Sequence, residues 1–158
     1  MLGSAIVITI STRAAAGVYE DKSGPIIAAA LDDLGFTVLG PVVVPDGDAV
    51  GAALRDAVAA GHAVVITSGG TGVNPRDQTP EQTRTVIERE LPQLAAAVAR
   101  YGVDHGVPTA VLSRGVAGVA GRTLIVNLPG SSGGARDGMV VLGPVLSHAV
   151  DQLRGGDH

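Results

Sequence analysis

Two aspartates stand in segments where carboxylates could act on a phosphorylated ligand. Asp46 follows a proline after a β-branched run, and Asp77 ends the turn-forming segment 74–77. Paired carboxylates beside phosphate-binding loops hold Mg²⁺, which bridges phosphate oxygens and neutralises charge in a displacement at phosphorus. Each acid has a structural alternative. Asp77 could be a turn residue, and helix capping explains Asp48 better than Asp46, which lies two residues further from the helix.

Two glycine-rich segments could supply N–H groups to an anion. Residues 68–72 are SGGTG and residues 130–134 are GSSGG, the second leading toward a helix. Glycine permits positive φ and a close approach of backbone N–H groups to an anion, as at the N-terminus of a helix. The first segment has neither the Walker A pattern nor the dinucleotide-binding spacing, and a plain tight turn is its alternative. Two such loops on one edge suit a ligand with two phosphate groups.

Other polar residues carry weaker predictions. Lys22 is the only lysine of the chain and lies in a polar, glycine-containing segment. Arg76 and Arg114 could contact phosphate, or they could be solvated or ion-paired surface residues. Thr79 and Gln82 have the spacing of a capping box, so we expect a structural role for both. The four histidines share no metal-ligand spacing, and no chemistry is assigned to them.

Composition limits the class of protein. The 158 residues fit one domain over 1–158. The chain has no cysteine, which excludes disulfides, Cys-ligated zinc and thiol nucleophiles. Its net charge of −4 argues against a broad nucleic-acid surface. The apolar runs are short and broken, and the first residues lack a signal-peptide pattern, so we expect no membrane span and a cytoplasmic location.

Strand-like and helix-like patterns alternate along the chain. The strand-like runs are apolar and β-branched, and they cover residues 5–10, 36–44, 62–67, 109–113 and 122–127, with a possible hairpin between the last two. The second run contains Gly40-Pro41, so we expect it to be bent or at a sheet edge. Helical patterns begin near residues 25, 48, 79 and 92, and an apolar stripe over 145–153 completes a final helix, which follows a long turn over 128–134. The alternation predicts an α/β fold with a parallel sheet covered on both faces.

The loops that follow the strands are the predicted place of the site. Open α/β sheets bind ligands outside the carboxyl ends of their strands. This rule selects residues 11–24, 45–48, 68–80 and 128–134, which are also the segments richest in Gly, Ser, Thr and Asp. The residues alone therefore predict an anion site of unknown purpose at one edge of the sheet.

Three groups of motifs resemble the Mog/MoaB-type molybdenum cofactor biosynthesis family. The first joins TSGGTG at 67–72 to RDQTPE at 76–81. The second joins LSR at 112–114 to TLIVNLPGS at 123–131, and the third is the N-terminal loop GVYEDKSG at 17–24. The resemblance covers nearly the whole chain, in order. The chain departs from the family pattern at Thr12, where an Asp is frequent, and at 132–134, where SGG replaces a Pro and a good helix former.

The resemblance implies a fold and a reaction. The fold is a three-layer α/β/α domain with a mostly parallel sheet, which assembles as a homo-oligomer, a trimer being favoured over a hexamer. The reaction is the Mg²⁺- and ATP-dependent adenylylation of molybdopterin with release of pyrophosphate. A molybdenum insertase is then a possible partner, and neither nucleic acid nor membrane is expected.

The resemblance also assigns site residues. Asp46 and Asp77 match the family's essential acidic pair, as catalytic and metal-binding residues. The residues expected to bind pterin or nucleotide lie in the motifs, and they are Lys22, Ser68, Gly69, Gly70, Thr71, Gly72, Arg76, Ser113, Asn127, Pro129, Gly130 and Ser131.

Two other functions remain open at this stage. A catalytically silent paralogue would bind molybdopterin and act in a complex. A domain similar to the N-terminal part of CinA-type proteins would process nucleotides, although such proteins normally continue into a second domain. The presence of both Asp46 and Asp77 favours the enzyme.

Overall fold

The computed structural model describes residues 2–157, which form a six-stranded sheet with helices on both faces. The strands are β1 Ser4–Ile10, β2 Thr37–Val44, β3 Val64–Ser68, β4 Arg89–Glu90, β5 Ala117–Ala120 and β6 Thr123–Leu128. The helices are α1 Thr12–Ala15, α2 Ser23–Leu34, α3 Asp48–Ala59, α4 Thr79–Arg84, α5 Pro92–Asp104 and α6 Ser132–Leu153, with a 3₁₀ turn at Pro108–Leu112. No helix of this part of the chain is long and apolar enough to cross a membrane.

The strand order confirms a mostly parallel sheet. It is β2-β1-β3-β6-β5-β4, in which the first four strands are parallel and β5 is antiparallel to both of its neighbours. The bend predicted for the second strand is present at the sheet edge. The pairing of β1 with β2 shifts register between Ile6 and Ile8, opposite the cis peptide bond Gly40–Pro41.

Alternating side chains of the strands pack into two separate hydrophobic cores, one on each face of the sheet. On one face Val7, Ile66 and Val126 pack in a cluster with residues of α2, α5 and α6. On the other face Ile8, Val65 and Ile125 pack with residues of α3. Successive side chains of a strand point to opposite faces of the sheet. Since the side chains on both faces are apolar and buried, helices must cover both faces. The three-layer α/β/α fold is therefore confirmed.

The strand predicted at 109–113 is wrong. These residues lie in or beside the 3₁₀ turn, where Val111 and Leu112 are exposed. The strand before β6 is instead the small-residue run of β5, which forms a hairpin with β6 through Gly121. Gly118 shows why small residues serve there, since a Cβ at this position would lie 2.7 Å from the carbonyl oxygen of Arg89 on β4. Apolar content alone therefore pointed to the wrong segment.

The last helix begins at Ser132, inside the turn predicted over 128–134. Ser131 is its N-cap, and the Ser131 side chain accepts a hydrogen bond of 3.0 Å from the N–H of Gly134. The long turn predicted over 128–134 is thus shorter, because a serine cap satisfies one of the free N–H groups of the first turn. The glycines at 133 and 134 are helical and not part of a flexible loop.

Gly138 lets α6 lie close against β6, and we expect a side chain there to be destabilising. A Cβ at 138 would lie 2.6 Å from a methyl carbon of Leu128, which is fully buried. Gly138→Ala should lower the free energy of unfolding, measured by urea denaturation, by about 1–3 kcal/mol from overpacking. Gly133→Ala is the matched control on the same helix, where a new Cβ meets nothing within 4 Å. It should raise stability by up to about 1 kcal/mol, and equal gains for both variants would contradict the close packing.

Candidate functional site

The loop after β3 is held against the end of β1 by backbone contact. Gly69 and Gly70 have φ values of 101° and 69°. A Cβ at Gly69 would overlap the carbonyl oxygen of Ile10, and one at Gly70 would overlap the hydroxyl of Thr79. Both positions thus require glycine, for conformation and for space. A Cβ at Gly130 would lie 3.2 Å from the Cα of Gly69, so the two predicted glycine loops are neighbours.

A cleft of about 460 Å³ opens beside these two loops. Its polar side consists of residues 69–72, Asp77, Ser113, Asn127, residues 129–131, Gly133, Gly134 and Asp137. The facing wall is made of small and apolar residues from α5 and the 3₁₀ turn, namely Ala95, Val98, Ala99, Gly102, Val107, Ala110 and Leu112. This volume and lining are typical of small-molecule sites.

Asp46 is fixed by hydrogen bonds on one carboxylate oxygen. Its Oδ1 accepts from the N–H groups of Gly47 at 2.8 Å and of Gln78 at 3.0 Å. Its own N–H donates to the hydroxyl of Thr12 at 3.2 Å, so the residue that departs from the family pattern positions this acid. The second oxygen, Oδ2, lies 2.7 Å from where a Cβ of Gly70 would be and has no hydrogen-bond partner within residues 2–157.

Asp77 closes the predicted turn and reaches the same glycine loop. The N–H of Asp77 donates to the carbonyl of Asn74 at 2.9 Å, and the N–H of Asn74 donates to Asp77 Oδ2 at 3.2 Å. That oxygen also lies 2.8 Å from where a Cβ of Gly72 would be. Asp46 and Asp77 therefore approach the same loop, at Gly70 and Gly72. The hydrogen bond of the turn uses Asp77 Oδ2 and not Oδ1.

The two carboxylates repel each other. Burial raises the pKa of Asp46, the N–H groups of Gln78 and Gly47 lower it, and the negative charges of Asp77 and Glu81 raise it further, with a net upward shift. In the described part of the chain, no three His, Cys, Asp or Glu side chains form a metal cluster. A cation here would thus have two carboxylates and additional oxygens from water or substrate. This donor set suits Mg²⁺, which is commonly bound through one or two carboxylates plus phosphates and retained waters.

Arg114 organises the loop between the two acids. Its Nε donates to the carbonyl of Gly72 at 2.8 Å, and a terminal nitrogen donates to the carbonyl of Asp77 at 2.9 Å. The other terminal nitrogen forms an ion pair of 2.6 Å with Glu81, which lowers the pKa of Glu81. Of the two roles predicted for Arg114, the structure therefore has the ion pair, because protein acceptors occupy its guanidinium group.

Buried polar residues support the loops from below. The Asn127 side-chain amide donates to the hydroxyls of Thr67 and Thr83 at 3.0 and 3.1 Å, and its oxygen accepts from the N–H of Val116 at 3.0 Å. The hydroxyl of Ser68, which is fully buried, donates to the carbonyl of Pro129 at 3.0 Å. These contacts join the ends of β3 and β6 beneath the cleft.

The predicted capping box does not form. The Thr79 hydroxyl donates to the carbonyl of Gly69 at 3.0 Å, α4 begins at Thr79 itself, and Gln78 is the N-cap without a side-chain bond. The Gln82 side chain is 3.5 Å from a carboxylate oxygen of Asp48. The need to satisfy a carbonyl of the tight glycine turn overrides the capping pattern. The structural role predicted for Thr79 is nevertheless present.

The remaining predicted binding residues divide into two groups. Thr71, Ser113, Pro129, Gly130 and Ser131 line the cleft together with the first glycine loop, which brings residues from three separate motifs to one place. Lys22 and Arg76 are exposed and do not line it, although both belong to loops at this edge of the sheet. The sequence pattern gave no role to Asp137, which lines the cleft from α6. It also gave none to Thr12 beyond its departure from the family pattern.

We expect Asp46→Asn to stabilise the ligand-free protein at pH 7, by an amount on the order of 0.5 kcal/mol. An amide oxygen keeps both N–H bonds, while the charge facing Asp77 and Glu81 is removed. Because the folded-state pKa of Asp46 is raised above its reference of 3.8, the ionised carboxylate destabilises the fold above that raised pKa. The advantage of the variant should therefore shrink as the pH falls toward 4 in urea denaturation. Asp48→Asn is the control, and a loss of stability for Asp46→Asn at pH 7 would contradict the raised pKa of Asp46.

Removal of the Arg114 side chain should loosen the turn that carries Asp77. Arg114→Ala leaves the carbonyls of Gly72 and Asp77 without their donors, at a cost of about 1–3 kcal/mol. Hydrogen exchange of the Asp77 amide should become at least roughly tenfold faster, since about 1.4 kcal/mol of local stability corresponds to this factor. Arg76→Ala, at an exposed position in the same turn, should leave exchange unchanged. Equal exchange rates in Arg114→Ala and the parent would exclude the clamp.

Comparison with known proteins agrees with this geometry. Residues 6–148 match the family described as "Probable molybdopterin binding domain". A molybdopterin adenylyltransferase of Helicobacter pylori (strain J99) is 34% identical over 94% of this chain and 86% of that protein. The structure of the molybdopterin biosynthesis Mog protein from Mycobacterium ulcerans has a TM-score of 0.91 and 59% identity, covering 95% of this chain and 98% of that one.

Some relatives are longer than this chain. A molybdenum cofactor biosynthesis bifunctional protein of Synechococcus elongatus is 37% identical over 98% of this chain, which covers only 48% of that protein. The chain thus spans about half the length of this relative, and of the similar protein of Chlorobaculum tepidum, where it covers 49%. The match over most of its length, the shared fold and the glycine-loop site show that the chain belongs to the Mog/MoaB-type molybdopterin-binding domain family of molybdenum cofactor biosynthesis.

Proposed function

We propose that the protein transfers the adenylyl group of ATP to the terminal phosphate of molybdopterin, as a step of molybdenum cofactor biosynthesis. The observation that carries this proposal is the approach of Asp46 and Asp77 to one glycine loop beside a cleft with an apolar wall. The Helicobacter pylori relative named a molybdopterin adenylyltransferase supports the same reaction.

The cleft suits a flat ring system with a phosphorylated tail. Its wall on α5 and the 3₁₀ turn offers Val98, Val107 and Leu112 to the faces of a ring. The glycine loops offer backbone N–H groups at the opposite side, where a phosphate would be placed. We therefore assign the cleft to the pterin and the edge around Asp46, which does not line the cleft, to the nucleotide.

In this reaction the protein mainly positions the two substrates. A phosphate oxygen of molybdopterin attacks the α-phosphorus of ATP, and the bond from this phosphorus to the bridging oxygen of the β-phosphate breaks, so that pyrophosphate leaves. The attacking oxygen is already anionic, so no general base is required. Mg²⁺, held by Asp46 and Asp77, would supply charge neutralisation at the phosphate oxygens. Lys22 and Arg76 are exposed cations in loops at this edge of the sheet. Their positive charges suit the pyrophosphate end of the nucleotide.

We also expect a homo-oligomer, with a trimer favoured, and a molybdenum insertase as a partner. Apolar side chains remain exposed on the edge strand β2, at Leu39 and Val42, and on α6, at Val140 and Val145. Such side chains suit contacts between copies of a chain. The bifunctional relative contains a similar domain within a longer chain, which supports an action beside a second activity of cofactor synthesis.

The decisive experiment supplies the purified protein with Mg²⁺, ATP and molybdopterin and measures adenylylated molybdopterin and pyrophosphate. Asp77→Ala should lower the rate by at least roughly 100-fold, the scale for loss of an electrostatic contact to reacting phosphate, and pterin binding should remain measurable. Asp48→Asn is the matched control, because Asp48 is a nearby acid at the start of α3 whose carboxylate faces the side chain of Gln82, and it should retain activity.

The same assay separates the alternatives. A parent protein that binds molybdopterin and forms no adenylylated product would be a silent paralogue, and the proposal would fail. Consumption of nucleotide without pterin would instead favour a CinA-like nucleotide-processing domain.

A further inference from the structure

Asp137 is a carboxylate inside the cleft that the structure leaves without a partner. It lies on α6, is half-buried, and makes no hydrogen bond or ion pair with any residue from 2 to 157. Gly133 and Gly134, one turn earlier on the same face of the helix, line the cleft as well. Without side chains at these two positions, the cleft stays open above the carboxylate.

The charges that line the cleft indicate which kind of ligand group Asp137 can bind. Among the side chains that line it, only Asp77 and Asp137 are ionisable, and both are acids. A phosphate group would be repelled by Asp137, whereas hydrogen-bond donors of a ligand would be attracted. The helical rise places Asp137 about 7.5 Å along the axis from Ser132, so the carboxylate does not cover the first-turn N–H groups that suit an anion.

We propose that Asp137 recognises the pyrimidine edge of the pterin, an inference that rests on the proposed function and extends it to substrate specificity. The 2-amino group and the N3–H of a pterin are adjacent donors that point the same way. A carboxylate accepts such a pair through both oxygens, as it does from the fork of a guanidinium group. The apolar wall of α5 and the 3₁₀ turn then packs against the ring faces.

The nucleotide fits this carboxylate less well. Adenine presents one amino group beside the acceptor N1, which a carboxylate repels. A ribose diol is the remaining competitor, because acidic side chains bind ribose hydroxyls in other α/β proteins. The ribose, however, needs no apolar wall, whereas Asp137 shares its cleft with seven small or apolar wall residues.

Binding measurements with two matched ligands test the proposal. The ligands are 6-hydroxymethylpterin phosphate and the corresponding lumazine phosphate, in which an oxygen replaces the 2-amino group. The parent protein should bind the pterin at least tenfold more tightly in a fluorescence titration. Asp137→Asn should weaken pterin binding at least tenfold and shift the preference toward the lumazine, because an amide can accept from N3–H and donate to the 2-oxo group. Asp151→Asn, at an exposed position further along α6, should leave both affinities unchanged.

Three results would overturn the assignment. They are an unchanged pterin-to-lumazine ratio in Asp137→Asn, a loss confined to ATP affinity, and a parent protein that binds neither pteridine. The readout needs no adenylyl transfer, so it is separate from the test of the reaction. A protein with the predicted ligand preference but no adenylylated product would retain this inference and lose the proposed function.

Discussion

The close approach of Gly69 to the end of β1 is the contact on which the site depends. No side chain fits between the Gly69 Cα and the carbonyl of Ile10, and a Cβ at Gly130 would lie 3.2 Å from the Gly69 Cα. The Gly69 N–H donates to the carbonyl of Leu128 at 3.0 Å, so the ladder between β3 and β6 continues into the loop. Three strand ends thus converge, and the loops that follow them have no room to separate.

Negative charge gathers where the loops converge. Asp46 and Asp77 approach the same glycine segment, and Arg114 does not neutralise them, because its guanidinium group is bonded to two carbonyls and to Glu81. Burial is the main cause of the raised pKa of Asp46, and the negative charges of Asp77 and Glu81 add to it. An arrangement that lowers stability at a site is frequent where function requires unpaired charge. In the proposed function, a cation bound together with phosphate groups would neutralise this charge.

The strands nearest the site were predictable, because β1, β3 and β6 are continuous β-branched runs and strand-to-helix loops must meet at their ends. The glycine loops and both acids followed from that rule and from the motifs. The run at 109–113 misled because its apolar side chains face outward, and the burial that distinguishes β5 arises only from pairing with β4 and β6. Asp137 was missed for a related reason. The apolar stripe that predicted the final helix covers only residues 145–153, so it gave no position to residue 137, which the helix from Ser132 places in the lining of the cleft.

The bonds that shape the site join residues that are distant in sequence. Thr12 and Asp46 are 34 residues apart, Asp46 and Gln78 are 32, Asp77 and Arg114 are 37, and Ser68 and Pro129 are 61. Closing loops of this length has an entropic cost that only the assembled core offsets. A fragment that ends at Gly72 therefore contains the whole first glycine loop but lacks Thr79, Arg114 and Leu128, which bond to it. We therefore expect the site to form only together with the complete sheet.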